Sequence, residues 1–193
     1  MPRVVAVSPL ILSCAPQERR AKERGAGRVR SPYPTMTITY YENEVPQPDE
    51  VRALYRAVDW RLKPLASDEV LQRVWESAEF TVTVREEAGA LVAMSRAIGD
   101  GGFFIGIYDV VVHPDLQGLG VGTEMMRRLM AFAEAGPWYR VFLFSAPGKE
   151  GFYSRLGFQP PEEVGMAPMF RWKPEFIALH ASLHRKDTEE CCP

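Results

Sequence analysis

Glycines at alternate positions follow an apolar run in the middle of the chain and give the clearest sign of a binding site. The apolar residues 110–112 lead through His-Pro into residues 117–123, in which every second residue from Gly118 to Gly122 is glycine. Because glycine has no Cβ, the backbone N–H groups of such a loop can converge on one anion, and a following helix N-terminus adds partial positive charge. The pattern therefore predicts a phosphate or pyrophosphate held by main-chain amides.

Two common phosphate-binding loops do not fit this spacing. A P-loop has two glycines separated by four residues and then Lys and Ser or Thr, and no lysine stands in this stretch. A dinucleotide-binding fingerprint needs its third glycine one place after Gly122, where the chain has Thr123, and an acidic residue at the end of a second parallel strand. A plain strand–turn–helix corner is the alternative that the spacing alone leaves open.

A second motif lies downstream, and the two motifs together resemble a known family. Gln117-x-x-Gly120-x-Gly122, after a strand that ends in Val-x-His-Pro, resembles motif A of the GNAT family of N-acetyltransferases. Residues 151–158 (GFYSRLGF) resemble its motif B, Phe-Tyr-x-x-x-Gly-Phe. The resemblance covers roughly residues 36–172 and implies that the loop amides hold the pyrophosphate of acetyl-CoA, the co-substrate of that family.

Other residues are similar to one branch of that family, the bacterial and plastid enzymes that include plant serotonin N-acetyltransferase-like proteins. The similar positions are Trp60, residues 95–97, residues 108–112, Met169 and Phe170.

The resemblance also implies that acetyl-CoA is held mainly by main-chain groups. In this family two adjacent parallel strands splay apart, and the freed backbone of one strand, here residues 108–112, pairs with the amides of pantetheine. The apolar side chains of that strand fit an ordinary buried strand equally well. The implied acetyl-CoA-binding residues are Val110, Val111, Val112, Gln117, Gly118, Leu119, Gly120, Val121, Gly122 and Thr123.

Tyr153, in the second motif, is the candidate general acid. A phenol titrates near about 10 and a thiol near about 8.5, so a neutral tyrosine can protonate a departing thiolate without losing its proton earlier. Its position matches the usual acid of the family that the chain resembles. The alternative is a core tyrosine at the start of a packed short helix.

Asp109 is the candidate general base, because it is the one carboxylate inside an otherwise apolar strand. We expect burial to raise the pKa of this carboxyl toward a useful range. Alternation along the strand would place Tyr108 on the opposite face of the sheet, so that only one of the two side chains meets the substrate. A water relay is the competing route for the proton, and Asp109 could instead form a structural pair with Arg96. Trp60 and Tyr108 are the candidate acceptor-pocket residues.

The elements that must position these residues follow from hydrophobic periodicity and turn residues. The predicted strands are residues 37–41, 80–84, 91–98, 103–113, 139–145 and 166–172, with an extended piece beginning at 157–159. The predicted helices begin near Pro48 and Ser67, follow the glycine loop, and occupy residues 149–155. This order predicts an α/β (α+β) domain: a mixed, mostly antiparallel central sheet with helices on both faces, in which the resemblance implies a splayed parallel strand pair holding acetyl-CoA.

Length and composition limit the alternatives. A chain of 193 residues with 46% hydrophobic residues can form one domain with a sizeable core, and its 3 cysteines support neither a disulfide framework nor a metal site. The longest uncharged apolar run, residues 4–15, contains Pro9 and falls short of the roughly 20 residues that cross a bilayer. We therefore expect no metal, no membrane partner and a cytoplasmic location.

Charge divides the chain into unequal parts. Basic residues are concentrated before Met36, so the rest of the chain is more acidic than the net charge of -2 indicates. An acidic body argues against a nucleic-acid partner and mildly favours cationic substrates. We expect residues 1–35 to be a disordered basic extension, 36–173 to be the acetyltransferase domain, and 174–193 to be a tail.

The resemblance implies an acetyl-CoA-dependent N-acetyltransferase, an acyltransferase that passes acetyl directly to a primary amine. No cysteine lies near the motifs to support a covalent enzyme intermediate. The expected partners are acetyl-CoA and a small amine acceptor, with a homodimer as a further possibility. The alternative is a non-catalytic acyl-CoA-binding sensor module on the same fold.

Overall fold

The computed structural model describes residues 37–61, 63–164 and 169, and within them the elements follow the predicted order. The strands are β1 (Ile38–Glu42), β2 (Phe80–Glu86), β3 (Leu91–Gly99), β4 (Phe104–Val112) and β5 (Arg140–Leu143). The helices are α1 (Pro48–Ala57), α2 (Asp68–Glu76), α3 (Val121–Ala135) and α4 (Glu150–Ser154). The predicted extension 1–35, the tail 174–193 and, apart from Met169, the predicted strand 166–172 lie outside the described residues.

The five strands form one sheet in the order β1-β2-β3-β4-β5. The first four strands are antiparallel neighbours, as the short turns between them predict, and β5 lies parallel to β4 because α3 crosses between them. The predicted mixed, mostly antiparallel sheet is confirmed. Among the described residues, no helix is long and apolar enough to span a membrane.

Helices cover both faces of the sheet, and each face has its own core. On one face, α1 and α2 bury an apolar stripe against β3 and β4; its members include Leu54, Tyr55, Trp75, Met94 and Val111. On the other face, α3 packs its methionines and leucine over all four of the antiparallel strands. Both helices of the first face begin at a capping residue, since the Gln47 amide donates to Glu50 Oε2 at 3.0 Å and Ser67 Oγ accepts from the Val70 amide at 3.4 Å.

The extended piece predicted to begin at residues 157–159 is not a strand. Gly157 has φ +89°, and its amide donates to the Ser154 carbonyl while the Phe158 amide donates to the Tyr153 carbonyl. These bonds satisfy the last carbonyls of α4, so the Gly-Phe of the second motif closes that helix. The prediction was wrong because a glycine in the left-handed region turns the chain back.

The parallel strands β4 and β5 separate halfway along β4. Their pairing runs from Phe104 opposite Arg140 to Ile107 opposite Leu143, where β5 ends. β4 continues to Val112, so its second half has no strand neighbour on the β5 side within the described part of the chain. The splayed parallel pair that the resemblance implied is therefore present, and it opens a cleft in the sheet.

Candidate active site

A cleft of about 910 Å³ lies where the two parallel strands separate. It is lined by the second half of β4, the glycine loop with the start of α3, the end of β5, and α4. Trp60 and Lys63, from the connection between α1 and α2, close one side of it. The two sequence motifs thus face each other across one cavity, although about thirty residues of helix and strand separate them in the chain.

The glycine loop presents main-chain amides at one end of the cleft. Gly118 and Gly120 have φ +79° and +86°, a region that L side chains rarely adopt, and Gly120 is the N-cap of α3. The amides from Gly118 to Thr123 donate to no oxygen of the described residues, and the first amide of this helix to find a partner is that of Glu124, on the Gly120 carbonyl. Unpaired amides at a helix N-terminus fit a diphosphate.

Gln117 holds this loop to the strand that precedes it. Its side-chain Nε2 donates to the Val112 carbonyl at 3.0 Å, and Leu116 and Val121 anchor the two ends of the loop in the core. Of the predicted acetyl-CoA-binding residues, Leu119 and Val121 do not line the cleft with their side chains, so a role for them would be confined to their amides.

The predicted pantetheine strand forms the floor of the cleft. Val110 and Val112 are half-buried and pack toward the α3 face, whereas Val111 is buried among the side chains of α1 and α2. All three line the cleft. Because this part of β4 has no neighbour on the β5 side among the residues that the structure describes, its main-chain groups there can bind a ligand without breaking the described sheet.

A β-bulge interrupts β4 and changes the direction of its side chains. Met94 of β3 pairs with Val111 and Arg96 pairs with Tyr108, so two residues of β4, Asp109 and Val110, face the single residue between them on β3. Asp109 takes up the irregularity with φ +56°.

The bulge places Tyr108 and Asp109 on the same side. Arg96 Nε donates to Asp109 Oδ2 at 2.5 Å, and the Arg96 guanidinium carbon lies 5.3 Å from the centre of the Tyr108 ring. The expectation that alternation separates these two residues was wrong, because alternation holds only along an uninterrupted ladder.

Asp109 is fully buried and holds two cations. Lys63 Nζ pairs with Oδ1 and Arg96 with Oδ2, so both carboxylate oxygens have a charged donor. Burial by itself raises the pKa of the Asp109 carboxyl, but the Lys63 ammonium and the Arg96 guanidinium together lower it below its ordinary value. The expectation of a raised pKa was wrong. A covered carboxylate that binds two cations is poorly suited to act as the general base, and the structural pair with Arg96 is present.

Tyr153 lies on the wall of the cleft formed by α4. Its ring packs edge-on against Phe152 at 4.9 Å and Phe158 at 6.1 Å between centroids. Burial raises the pKa of the Tyr153 phenol, so the side chain is neutral near pH 7. The residue both contributes to packing and faces the cavity, which leaves the predicted role of general acid open to test.

Aromatic rings line one side of the cleft. Trp60 stacks on Tyr55 with ring centroids 5.3 Å apart, and Tyr108 lies edge-on to Phe142 at 6.3 Å. Gly106 makes room for this arrangement, since a Cβ there would lie 2.6 Å from the Tyr108 ring. Both predicted acceptor-pocket residues, Trp60 and Tyr108, line the cavity.

The sequence analysis missed the cations of the cleft. Among the described residues, the cleft is lined by Lys63, Lys149 and Arg155 and by one carboxylate, that of Asp109, so this lining is electropositive although the body of the chain is acidic. Lys149 precedes the second motif and Arg155 lies within it, so both could have been noticed as cations in a segment expected near acetyl-CoA. Lys63 lies in a connection without periodicity, and no pattern marks it.

Comparison with known proteins gives consistent results. The model of the GNAT acetyltransferase domain matches residues 77–160. The uncharacterized N-acetyltransferase ycf52 of Porphyra purpurea is 32% identical over 125 residues, which are 65% of this chain and 71% of that protein. The chloroplastic serotonin N-acetyltransferase 2 of Oryza sativa subsp. japonica is 38% identical over 109 residues, 54% of each chain.

Solved structures show the same fold. A GNAT family acetyltransferase from Streptococcus pneumoniae matches with a TM-score of 0.60 and 24% identity, over 71% of this chain and 98% of that one. A probable acetyltransferase from Staphylococcus aureus matches with a TM-score of 0.59 and 24% identity, over 71% and 99%.

Proposed function

Because this chain belongs to the GNAT family of acetyl-CoA-dependent N-acetyltransferases, we propose that it transfers acetyl from acetyl-CoA directly to the nitrogen of a small primary amine. The observation that carries the proposal is the open end of the parallel strand pair. There the amides of the glycine loop and the second half of β4, neither of which has a main-chain partner on that side among the described residues, line one cavity with Tyr153. Acetyl-CoA supplies an activated acetyl group to this cavity when it is bound.

Each end of the cleft has a distinct role in this proposal. The amides of residues 118–123 bind the diphosphate, and the positive charge of Lys149 and Arg155 favours the same polyanion. The main chain of Val110 and Val112 pairs with the pantetheine arm. The reactive end then lies near Tyr108, where β4 leaves β5. Because both reactants are held in one cavity, the reaction between them becomes effectively unimolecular.

Proton transfer is divided between a side chain and water. Tyr153, neutral and facing the cavity, donates its proton to the sulfur that leaves. The acceptor amine loses its proton to water, because the Asp109 carboxylate is covered and paired with two cations. Asp109 acts instead as a buried anion that holds Arg96 and a second cation in the cleft.

A thiol-release assay tests the proposal. The full chain is mixed with acetyl-CoA and a panel of primary amines, including alkylamines and arylalkylamines, and free coenzyme A is measured against the rate without amine. We expect amine-dependent release together with the N-acetylated amine by mass spectrometry. Saturable acetyl-CoA binding without amine-dependent release from any member of the panel would favour the sensor module instead.

A further inference from the structure

Lys63 extends from a short 3₁₀ turn (Lys63–Leu65) into the cleft. Its ammonium pairs with Asp109 Oδ1, and its Nζ lies 4.3 Å from the centre of the Trp60 ring and 5.3 Å from that of Tyr55. A carboxylate oxygen and two aromatic rings around one ammonium form a site that recognises an organic cation.

The two cations on Asp109 are held very differently. The Arg96 side chain is 11% exposed and also donates to the Val74 carbonyl at 3.3 Å, so it is fixed on Oδ2. The Lys63 side chain is 45% exposed, and among the described residues its ammonium has no hydrogen-bond acceptor besides Oδ1. Lys63 can therefore leave by a rotamer change, whereas Arg96 cannot.

The backbone that carries Lys63 stays in place when the side chain moves. Arg52 of α1 donates to the carbonyls of Pro64 and Ala66, at 3.2 Å each, and pairs with Asp68 at 2.5 Å. These bonds fix the chain that follows the lysine, from Pro64 to Asp68. The displaced side chain would leave an opening of its own shape, an unbranched four-carbon channel that ends at a carboxylate oxygen.

This opening lies at the reactive end of the cleft. Asp109 follows Ile107, the last β4 residue paired with β5, by two positions, so Oδ1 lies where the strands begin to separate. We propose that Asp109 Oδ1 and the faces of Trp60 and Tyr55 form the ammonium subsite for the acceptor, and that Lys63 occupies this subsite as an internal competitor. The inference rests on the proposed function and adds the acceptor class, an unbranched primary alkylamine, with or without an aryl group along Trp60.

An internal competitor lowers the apparent affinity of the protein for the acceptor, because the acceptor can bind only when the subsite is not occupied by the competitor. Acceptors bind as ammonium ions, displace Lys63, and then lose a proton to water before attack. Removal of the Lys63 cation should therefore improve acceptor binding. If the role of Lys63 were purely structural, its removal would weaken acceptor binding instead. The opposite signs make the inference testable.

The experiment measures KM for n-butylamine, the free equivalent of the lysine side chain, at saturating acetyl-CoA for wild type, Lys63→Ala and Lys63→Arg. We expect Lys63→Ala to lower this KM about tenfold, if Lys63 fills the subsite roughly nine-tenths of the time, with the KM for acetyl-CoA unchanged. Lys63→Arg keeps a cation on Asp109 and should not lower the KM. Lys149→Ala removes a cation from the same cleft. If it lowered the KM for n-butylamine as much as Lys63→Ala does, the effect would be general electrostatics and the inference would be overturned.

Equilibrium binding separates this inference from the proposed function. Calorimetric titration of n-butylammonium into wild type and Lys63→Ala needs no turnover, and tighter binding to the variant supports the subsite even if no amine is acetylated. Equal or weaker binding overturns the subsite even if the enzyme is active. If the thermal midpoint of Lys63→Ala is lowered, Lys63→Met, which keeps the stem against Trp60, is used in both measurements.

Discussion

The Ser95 hydroxyl donates to the Tyr108 carbonyl at 3.0 Å, directly opposite the bulge that turns Asp109 toward Arg96. Ser95 is completely buried and is the single residue of β3 that faces two residues of β4. A bulge leaves one peptide unit without its ladder partner, and a short hydroxyl side chain can supply the missing donor. Ser95 thus holds in place the bulge that carries Tyr108 and Asp109.

Ser95→Ala should leave the Tyr108 carbonyl without this donor and loosen the bulge. We expect the free energy of unfolding to fall by about 1–3 kcal/mol. We also expect kcat/KM to fall by about 10- to 100-fold, because a small displacement of Asp109 misplaces the acceptor. Urea unfolding and amine-dependent thiol release measure the two effects.

Thr81→Val is the matched control for the loss of a buried hydroxyl. Thr81 Oγ1 donates to the Glu44 carbonyl at 2.7 Å from β2, two strands away from the cleft. The Thr81→Val variant should lose a similar free energy of unfolding and keep the turnover of the wild type. Equal loss of turnover in both variants would show that Ser95 acts through global stability alone.

Tyr153→Phe should lower kcat by about 100- to 10,000-fold, the usual contribution of a positioned acid, while binding of acetyl-CoA is retained. In the wild type, burial raises the pKa of Tyr153 above its ordinary value of about 10, so the loss of its proton should not limit kcat below that pH. The residual rate of the variant should rise with a thiol leaving group of lower pKa. Tyr139→Phe, at an exposed tyrosine outside the cleft, is the control and should behave as wild type. Near-normal turnover of Tyr153→Phe would assign this tyrosine to packing.

Gly120→Glu should weaken the binding of acetyl-CoA by about 10- to 100-fold, since it places a negative charge among amides that otherwise donate to phosphate. The left-handed φ of Gly120 adds backbone strain to the variant, and a control must carry the same strain. Gly89→Glu provides it, because Gly89 has φ +90° in the β2–β3 turn, with open space around its Cβ position. Titration of each variant with acetyl-CoA, followed by calorimetry, separates an effect in the binding loop from the general cost of a glutamate at a left-handed glycine. Unchanged affinity in Gly120→Glu would contradict the loop assignment.

The sequence was sufficient for those features that depend on local patterns. Hydrophobic periodicity predicted each strand of the described sheet to within two residues at its ends. The spacing of Gly118, Gly120 and Gly122 predicted an anion-binding loop, and the structure places this loop at the N-terminus of α3. Tyr153, predicted as the general acid, and Trp60, predicted as an acceptor-pocket residue, both line the cavity. Periodicity and turn chemistry are properties of short segments, so a single sequence is enough to detect them.

The pair of Asp109 with Arg96 was named from the sequence as an alternative, but the bulge and the second cation could not be predicted, because they depend on the folded arrangement. No glycine or proline within 107–112 marks the bulge, and strict alternation gave the wrong face for Tyr108 relative to Asp109. Lys63 reaches Asp109 from 46 positions away, through a connection without periodicity. Burial alone predicts a raised pKa for an isolated carboxyl, and the two cations that reverse the direction are brought there only by the tertiary fold.

Gly136→Ala should destabilise the connection between α3 and β5, which sets the position of the parallel pair. A Cβ at this position would lie 2.1 Å from Trp138 Cζ3, so the indole must shift out of its contact with Phe132. We expect a loss of about 1–3 kcal/mol in the free energy of unfolding, as for other overpacked sites. Gly102→Ala, with no atom within 4 Å of the added methyl and an ordinary φ, is the control. Thermal denaturation of both variants compares them, and an equally stable Gly136→Ala would refute the predicted clash.

Asp109→Asn should lower stability in a way that depends on pH. The variant leaves Arg96 and Lys63 without their shared anion, and we expect a loss of about 3 kcal/mol at pH 7, the low end for a broken buried pair because the Lys63 side is exposed. The pKa of Asp109 is lowered in the folded state, so its contribution is fully present above the unfolded pKa of about 3.9 and is lost as pH falls through the folded pKa. The stability difference between wild type and variant should therefore be constant from pH 7 to about pH 5 and shrink below about pH 4.

Urea unfolding at several pH values measures this difference, with Asp49→Asn in the first turn of α1 as a carboxylate control of the same charge change. A difference that grew toward low pH would mean that Asp109 is protonated in the native protein, and would restore it as a candidate base.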